Sequence, residues 1–375
     1  MKYYIISGEA SGDLHGSNLI RSLQALDAEA DFRCWGGDLM RQAGATVVKH
    51  YRDLAFMGFV EVAAHLGTIL RNMRFCRRDI KAYRPDVVIL IDYPGFNMPM
   101  ARFAHRQGFK VVYYIAPQVW AWRMGRIKKL KRYVDQIYTL LPFEHKFYEA
   151  YGATVRFEGN PLVDAIAAYR PDEEFIARYR NSEDKRPLVV ILPGSRKQEI
   201  KHIFPVMLRA AARMPQYRYV VAGTHTLSEE LYRSYLRDYP EIEWVCGHTY
   251  DLFSLARAGM VKSGTSTLEA ALFSMPQVVC YRTTPATYRI GRLLVNKEVR
   301  FISLVNLIMD KEVVTELLQN DLNEARLVSE LEKVAEDTGF RKNQKKYYTE
   351  LQEVIGLPGI SDRVADSIIS EFKRL

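Results

Sequence analysis

The sequence predicts an α/β protein made of two Rossmann-like domains that face a cleft. The chain has 375 residues, which is more than a single domain usually holds. Short apolar runs alternate with stretches of helical periodicity in two successive series, which is typical of parallel sheets covered by helices on both faces. Two such sheets in tandem would leave a cleft beyond the carboxyl ends of their strands, where ligands of open α/β sheets bind.

The first series predicts strands separated by helices, followed by a polar connection. The strands are Tyr3–Ser7, Val87–Ile91, Val111–Ile115 and Gln136–Leu140, and the helices are Asp13–Leu26 and Met98–Gln107. The polar stretch 170–186 contains Pro171 and is followed directly by Pro187. Because domains are joined by exposed polar segments, we place the boundary near residue 170 and assign residues 1–170 to the first domain.

The second series ends in a purely helical tail. Its predicted strands are Leu188–Leu192, Tyr219–Ala222, Gly259–Lys262 and Gln277–Tyr281, and its helices are Ile200–Met214 and Ser266–Phe273. From about residue 321 onward the periodicity predicts helices at 321–337, 341–354 and 361–374, with Pro358-Gly359 breaking the last two apart. We assign residues 171–340 to the second domain and residues 341–375 to a C-terminal helical segment.

Composition and charge exclude several classes of protein. No apolar stretch reaches the roughly 18 residues of a membrane-spanning helix, and the apolar run after Met1 is too short for a signal peptide. The four cysteines are scattered without CxxC spacing, which favours the reducing cytoplasm over a disulfide framework. Residues 51–132 hold 16 Lys and Arg against five Asp and Glu. This excess favours a phosphorylated substrate, a nucleic acid or an anionic bilayer, although solvated surface charge is the alternative.

Three loops after predicted strands are candidates for ligand binding. The first contains glycines, a hydroxyl, two acids and a histidine at the start of a helix: Gly8, Glu9, Ser11, Gly12, Asp13 and His15. The others are Gly194-Ser195-Arg196 and the segment with Gly264, Thr265 and Glu269. Glycines and hydroxyls at helix starts bind phosphate, so the second domain is predicted to hold a nucleoside diphosphate. Tight turns and ordinary helix caps are the alternatives, with Asp13 as an N-cap.

Asp92 is the candidate catalytic acid of the first domain. It follows the buried run 87–91, and an acid at the carboxyl end of such a strand is partly desolvated, which suits a general base acting on a sugar hydroxyl. It could instead simply begin a turn. The chain contains no Asp-x-Asp and no HExxH, so no metal ligand set is predicted, and the first loop lacks the GxGxxG of a nicotinamide site.

Taken together, the motifs resemble a known family. They are Gly8-Glu-Ala-Ser-Gly-Asp13, Met57-Gly-Phe-Val-Glu-Val62, Asp92-Tyr-Pro-Gly-Phe-Asn97, Pro117-Gln-Val-Trp-Ala-Trp122, Leu141-Pro-Phe-Glu144, Leu192-Pro-Gly-Ser-Arg196 and Ser263-Gly-Thr265. This series resembles bacterial lipid-A-disaccharide synthases. The resemblance implies a GT-B glycosyltransferase that inverts the anomeric centre and needs neither metal nor cofactor. It would join UDP-2,3-diacylglucosamine to 2,3-diacylglucosamine 1-phosphate (lipid X) through a β-1,6 linkage and release UDP.

The resemblance also implies roles for individual residues. Asp92 would take the proton of the acceptor 6-hydroxyl, while Gly194, Ser195 and Arg196 would contact the diphosphate. The uridine and diphosphate site would include Gly264, Thr265 and Glu269, and Asn306 would lie near the diphosphate unless it is only a helix cap. The C-terminal helices would return to a first domain, either of the same chain or of a partner in an exchanged homodimer.

Acylated substrates imply contact with an anionic membrane surface, and one segment fits that expectation. Arginines at 71, 74, 77 and 78 lie next to an apolar stripe of helical spacing. The apolar residues of this stripe are Phe59, Val62, Leu66, Ile69, Leu70 and Met73. A helix that buries this stripe in the first domain's core is the alternative. We therefore expect a cytoplasmic enzyme at the periphery of the inner membrane. A different UDP-sugar enzyme, such as an epimerase, is a second hypothesis. A nucleic-acid-binding protein is a third, although no recognition signature for nucleic acid is visible.

Overall fold

The computed structural model describes residues 1–54, 66–120, 125–294 and 299–372. The chain divides into two compact units. The first consists of Met1–Ala167 together with Ile355–Leu375, and the second of Ala168–Val354. The predicted C-terminal segment began at residue 341, whereas the structure keeps residues up to Val354 in the second unit.

The first unit is built on a parallel sheet of six strands. The strands are β1 Lys2–Ile6, β2 Asp31–Gly36, β3 Thr46–His50, β4 Val87–Ile91, β5 Lys110–Tyr114 and β6 Gln136–Ile137. Their order across the sheet is β3-β2-β1-β4-β5-β6, which is the Rossmann order. All five residues of β4 are buried because helices cover both faces, which explains the uninterrupted apolar run that predicted this strand.

Helices flank this sheet. They are α1 Ala10–Leu26, α2 Asp38–Gln42, α3 Leu66–Tyr83, α4 Pro94–Arg106, α5 Arg126–Tyr133, α6 Glu144–Ala150 and α7 Leu162–Ala167, with a 3₁₀ turn at Tyr51–Leu54. Apolar residues of α3, α4 and α5 form one core cluster with alternate residues of β1, β4 and β5. The opposite face of the sheet packs against α1 in a second cluster.

The second unit repeats the same topology. Its strands are β7 Leu188–Leu192, β8 Arg218–Gly223, β9 Glu243–Cys246, β10 Ala258–Lys262, β11 Gln277–Tyr281 and β12 Glu316–Leu318. They are ordered β12-β11-β10-β7-β8-β9, so counting from β7 gives the Rossmann order again. The prediction of two Rossmann-like domains is therefore confirmed.

The helices of the second unit surround this sheet and extend beyond it along the chain. They are α8 Glu173–Arg180, α9 Lys197–Ala212, α10 Glu229–Leu236, α11 Thr249–Leu255, α12 Thr265–Leu272, α13 Pro285–Leu294, α14 Leu304–Met309, α15 Glu324–Glu336 and α16 Thr338–Ile355, with a 3₁₀ turn at Gln319–Asp321. No described helix combines the length and the apolarity that crossing a bilayer requires.

Among the described helices after residue 321, only the last one returns to the first unit. This helix, α17 Ile360–Phe372, buries Val364 and Ile368 against Leu19 and Leu23 of α1 in the same chain. Its start is fixed by Asp164, whose carboxylate accepts hydrogen bonds from the N–H groups of residues 359, 360 and 361. Exchange between two chains stays a prediction.

The preceding helix, α16, belongs to the second sheet, which corrects the predicted segment 341–375. Gln344 accepts a hydrogen bond from the backbone N–H of Gln277 in β11, and Tyr348 and Leu351 are fully buried. These contacts hold α16 on the second unit, so the break at Pro358-Gly359 separates two helices that serve different units.

Candidate active site

The loops after β1 and β4 lie side by side at the carboxyl edge of the first sheet. The chain leaves β1 toward β2 but leaves β4 toward β5, and ligands of open α/β sheets bind at such a reversal of strand order. Gly8, just after β1, approaches Tyr93, just after β4, so closely that a Cβ on Gly8 would lie 2.5 Å from the tyrosine ring. Glycine is therefore required at this position for the two loops to meet.

The backbone that carries Asp92 is strained. Asp92 and Tyr93 have φ angles of 43° and 46°, and Ile115 in the neighbouring loop has a φ of 65°. Left-handed conformations of residues with side chains cost free energy, and they concentrate at functional sites. Two left-handed residues in succession therefore support the assignment of Asp92 as a functional residue.

Hydrogen bonds hold the strained turn in place. The N–H of Asp92 donates to the carbonyl oxygen of Ile115 at 3.2 Å. The carbonyl oxygen of Asp92 accepts from Asn97 Nδ2 and from the Tyr113 hydroxyl, each at 2.8 Å. Because Asn97 and Tyr113 are themselves fully buried, the rigid interior of the unit fixes the position of the aspartate.

The surroundings of Asp92 shift its proton affinity upward. The pKa of Asp92 is raised to about 6 because the surrounding protein desolvates the carboxylate and because the negative charge of Glu9 lies nearby. A hydrogen bond from the Tyr93 backbone and the positive charge of Arg126 lower this pKa in part. The side chain nevertheless remains accessible to solvent. Asp92 is thus an accessible carboxylate that is mostly ionised at neutral pH and readily accepts a proton.

The structure separates the predicted residues of the first loop into two groups. Helix α1 begins at Ala10, so Ser11, Gly12, Asp13 and His15 lie on the helix and not in the loop. Gly8 and Glu9 precede the helix and face the Asp92 turn, and the side chain of Ser11 is exposed on the first helical turn. The loop that meets Asp92 is therefore shorter than predicted.

Asp13 and His15, which were predicted as candidates for ligand binding, are buried within the first unit. The Asp13 carboxylate accepts hydrogen bonds from the N–H groups of Gly37, Leu39 and Met40, so it caps α2 and not its own helix. His15 is 6% exposed, and burial lowers its pKa to about 4. Both side chains serve the packing of α1.

Glu144 is a buried acid that sequence reasoning did not assign to the site. Its carboxylate is fully buried and accepts hydrogen bonds at 2.8 Å from Trp120 Nε1 and from the N–H groups of Leu140 and Leu141. Burial raises the pKa of Glu144 to about 7, and these hydrogen bonds oppose that rise. Its position in the Leu141-Pro-Phe-Glu144 motif was the available signal. Trp122, from the neighbouring motif, lies outside the described residues.

In the second sheet the corresponding reversal of strand order lies between β7 and β10. These two strands are direct neighbours, so the Gly194-Ser195-Arg196 loop and the Gly264-Thr265 segment lie at the same edge. Gly194 has a φ of 123°, a conformation that favours glycine. The Ser195 N–H donates to Glu199 Oε2 at 3.0 Å, and the Arg196 side chain is exposed. Gly264 is the N-cap of α12, and Thr265 is exposed on its first turn.

Lys262 and Glu199 also lie beside these two loops, although neither residue was predicted. Lys262 is the last residue of β10, and its Nζ lies 2.7 Å from Glu199 Oε1. The available signal was a lysine that ends a buried strand directly before Ser263-Gly264. Glu269, on α12, accepts a hydrogen bond from the Tyr250 hydroxyl at 2.8 Å, and burial raises its pKa.

Asn306 is not available to a ligand, which corrects its prediction as a diphosphate contact. The residue is fully buried, and its amide oxygen accepts hydrogen bonds from the N–H groups of Val313 and Val314. Its amide nitrogen donates to the carbonyl oxygen of Val314 and to Glu316. Every polar group of the side chain is therefore used to connect α14 to β12.

Comparison with known proteins identifies the family. The family described as Lipid-A-disaccharide synthetase matches residues 3–364. The chain is 37% identical to the lipid-A-disaccharide synthase of Geobacter sulfurreducens over 370 residues, covering 97% of this chain and 96% of that protein. The chain belongs to the lipid-A-disaccharide synthase family. The Coxiella burnetii lipid-A-disaccharide synthase is 36% identical over 343 residues, which is 90% of each chain.

Membership of the lipid-A-disaccharide synthase family makes the chain a glycosyltransferase of lipid A biosynthesis that uses a UDP-sugar donor and a lipid acceptor. Solved structures agree with the fold. The UDP-GlcNAc 2-epimerase from Neisseria meningitidis superposes with a TM-score of 0.71 at 11% identity, covering 99% of this chain and 100% of that one. A calicheamicin glycosyltransferase superposes with a TM-score of 0.60 at 15% identity, covering 100% and 98%. The predicted GT-B fold is thus confirmed, whereas these distant structures say nothing of the reaction.

Helix α3, which was predicted to contact the membrane, exposes only part of its apolar stripe. Met73 packs against the core of the first unit, where Cys76 and Ile80 on the same helix face are fully buried, so the core alternative holds for this face of α3. Ile69 is half-buried, and Leu70 is 45% exposed. Phe59, Val62 and the side chain of Leu66 lie outside the described residues.

Proposed function

We propose that the enzyme transfers 2,3-diacylglucosamine from UDP to the 6-hydroxyl of 2,3-diacylglucosamine 1-phosphate. The products are the β-1,6-linked disaccharide 1-phosphate and UDP. Family membership supports a UDP-sugar donor and a lipid acceptor. The observation that carries the proposal is Asp92, an accessible carboxylate on a strained turn with a raised pKa.

In the proposed mechanism, Asp92 accepts the proton of the acceptor hydroxyl as its oxygen attacks the anomeric carbon of the donor. The new glycosidic bond forms as the bond from the anomeric carbon to the UDP oxygen breaks, which inverts the anomeric centre. The departing diphosphate gains negative charge. Arg196 and the N–H groups at the start of α12 stabilise this charge, as preorganised donors do in other enzymes.

The test is to incubate the enzyme with UDP-2,3-diacylglucosamine and radiolabelled acceptor, with and without EDTA. We expect a labelled disaccharide 1-phosphate in both samples, together with one UDP per disaccharide. A parallel sample without acceptor tests for an epimerase, because an epimerase would convert the UDP-sugar there. Conversion that does not depend on the acceptor would contradict the proposal.

We further propose that the first unit contacts anionic lipid through the outer surface of α3 and its neighbours. Leu70 on α3 is exposed beside Arg71, Arg74 and Arg78. Helix α4 packs against both α3 and α5, and α5 adds exposed cations at Lys128, Lys129, Lys131 and Arg132. A basic helix with exposed apolar residues binds the headgroup region of anionic bilayers.

The membrane proposal is tested by reversing the charges of Arg71, Arg74 and Arg78 to glutamate. The variant should sediment less with vesicles that contain anionic phospholipid, and binding to purely zwitterionic vesicles should be weak for wild type and variant alike. The matched control reverses Lys342, Lys345 and Lys346, which are exposed on α16. Equal vesicle binding by the two triple variants would remove the electrostatic basis of this proposal.

A further inference from the structure

Glu199 joins the two loops of the second unit through two different contacts. On one side its Oε2 accepts the hydrogen bond of the Ser195 N–H at 3.0 Å. On the other its Oε1 lies 2.7 Å from Lys262 Nζ, which comes from the neighbouring strand. The Arg196 guanidinium is at 3.9 Å from the same oxygen. One carboxylate thereby gathers an N–H donor and two cations from both loops.

The Lys262 ammonium lies between Glu199 and the start of α12. A Cβ on Gly264 would lie 3.4 Å from Lys262 Nζ, so the ammonium lies beside the N-cap of α12, where the first N–H groups of a helix lack the acceptors of a preceding turn. The side chains of Lys262 and Glu199 are 19% and 13% exposed. Holding two charges in such a partly buried place costs desolvation, and an ion pair of this kind is weak evidence for a role in stability.

The pair leaves the lysine able to bind a second anion. An ammonium group has three N–H donors, and Glu199 Oε1 requires only one of them. The remaining donors, the N–H groups at the start of α12 and the guanidinium of Arg196 are the kind of groups that bind phosphate. An incoming diphosphate can therefore be bound without breaking the contact between Lys262 and Glu199.

We propose that Lys262 binds the diphosphate of the UDP-sugar donor directly and that Glu199 is the positioning residue that holds Lys262 and the Ser195 N–H toward it. The inference rests on the proposed function, because it assigns a contact within the donor site. The two cations then differ in character. Arg196 is exposed and free to move onto the ligand, whereas Lys262 is fixed before the ligand arrives.

The experiment measures the affinities of UDP and uridine by calorimetry and by ligand-observed NMR, with wild type, Lys262→Met and Lys262→Arg. We expect Lys262→Met to weaken UDP binding by about 10- to 100-fold, the size typical of a lost hydrogen bond to a charged group. Uridine, which lacks phosphate, should bind to Lys262→Met as it binds to wild type. Lys262→Arg should recover part of the UDP affinity, and the exposed control Lys342→Met should change neither ligand. If Lys262→Met does not fold, Lys262→Gln takes its place.

Glu199→Gln tests the positioning role through a double-mutant cycle with Lys262→Met. Glutamine keeps an acceptor for the Ser195 N–H but removes the charge that holds the lysine. The loss caused by Lys262→Met should therefore be smaller in the Glu199→Gln background for UDP, with no such coupling for uridine.

The outcomes separate this inference from the proposed function. Wild type that binds UDP no better than uridine would contradict the donor site as a whole. If wild type prefers UDP while Lys262→Met retains that preference in full, the inference alone is wrong. An equal loss of UDP and uridine would show that Lys262 only maintains the structure of the loops.

Discussion

The two units present the same topology with opposite chemistry at their reversals of strand order. Between β1 and β4 the first unit presents acids, with Asp92 on a strained turn and Glu9 close enough to raise its pKa. Between β7 and β10 the second unit presents cations and N–H groups, with Arg196 and Lys262 around Glu199. Strand order alone therefore fixes where a ligand binds, whereas the loop residues decide which ligand and which chemistry.

The difference also extends to how each site is held. The turn at Asp92 has a strained backbone, and hydrogen bonds from the buried side chains of Asn97 and Tyr113 hold it in place. In the second unit the Glu199 carboxylate, on the first turn of α9, holds the loops after β7 and β10 through its contacts with the Ser195 N–H and Lys262. A base must be placed accurately and have a suitable pKa, whereas a diphosphate requires converging donors. Under the proposed function each unit serves one of these tasks, and variants can test the two tasks separately.

The largest effect is expected from Asp92→Asn. The amide keeps the size of the side chain but cannot accept the proton, so turnover should fall by about 10²- to 10⁴-fold. UDP affinity should stay at the wild-type value, because the donor site is assigned to the other unit. Disaccharide formation and calorimetric UDP binding measure the two quantities. Glu29→Gln, at an exposed acid of the same unit, is the control. Normal turnover in Asp92→Asn would exclude this residue as the base.

Arg196→Ala, unlike Asp92→Asn, should lower both the rate and the affinity for UDP. Removing one donor to the charge that develops in a transition state costs on the order of 10²–10³ in rate, and the ground-state affinity for UDP should fall as well. The pH dependence of kcat/KM should keep its acid limb, because Asp92 is intact. Arg180→Ala removes an exposed arginine of the same unit and should leave both measurements unchanged. A rate loss no larger than that of Arg180→Ala would exclude the assigned role.

The sequence predicts most central strands of both sheets, but of the four outer strands it predicts only β6. Runs such as Val87–Ile91 and Leu188–Leu192 are apolar throughout because both faces are covered, and they were located to the residue. The strands β3, β9 and β12 lie at sheet edges, where no residue of β3 or β9 is fully buried and polar residues shorten the apolar runs to two or three residues. Since half-exposed segments show no continuous apolar run, they resemble loops in the sequence. Strand β2 was missed for a related reason, because Asp31 and Arg33 interrupt its apolar pattern.

The sequence places a candidate residue at the correct edge of a sheet where position along the chain is sufficient. A residue directly after a buried parallel strand must lie at the carboxyl edge, and this rule located Asp92, Arg196 and Gly264. It did not work for Asp13 and Asn306, because a polar side chain near a site serves equally well as a cap for a distant backbone segment. Glu144 and Lys262 were missed because one defining partner of each, Trp120 and Glu199, is far away in sequence.

A smaller effect, on stability, is expected from Glu144→Gln. In wild type all three N–H donors meet carboxylate oxygens, whereas an amide must direct its NH₂ group at Trp120 or at the backbone. The free energy of unfolding should fall by about 1–3 kcal/mol, the cost of an unsatisfied buried polar group. Urea-induced unfolding followed by tryptophan fluorescence measures it. Glu149→Gln, on the exposed side of the same helix, is the control and should change stability by less than about 0.5 kcal/mol.

The same variant should also change how stability depends on pH. The folded-state pKa of Glu144, about 7, is above the ordinary value of 4.5, so the folded protein binds the proton more tightly than the unfolded chain does. Wild type therefore loses stability as the pH rises from 4.5 through 7, and the glutamine variant lacks this contribution. The stability difference between them should be larger at pH 5 than at pH 8. A difference that grows with pH would mean that Glu144 is ionised throughout and that its hydrogen bonds outweigh its burial.

The smallest effect is expected from Glu9→Gln, and it bears directly on why the two units differ. The charge of Glu9 raises the pKa of Asp92, so its removal should move the acid limb of kcat/KM to a pH below 6. Water screens the interaction between Glu9 and Asp92. Because a shift of one unit in the pKa of Asp92 would change its ionised fraction at most about tenfold, the rate should change by less than tenfold at any pH. Arg126→Gln removes a charge that lowers the same pKa, and its acid limb should move to higher pH. Since the two variants change the local charge in opposite directions, limbs that move the same way would show that the acid limb does not report the ionisation of Asp92.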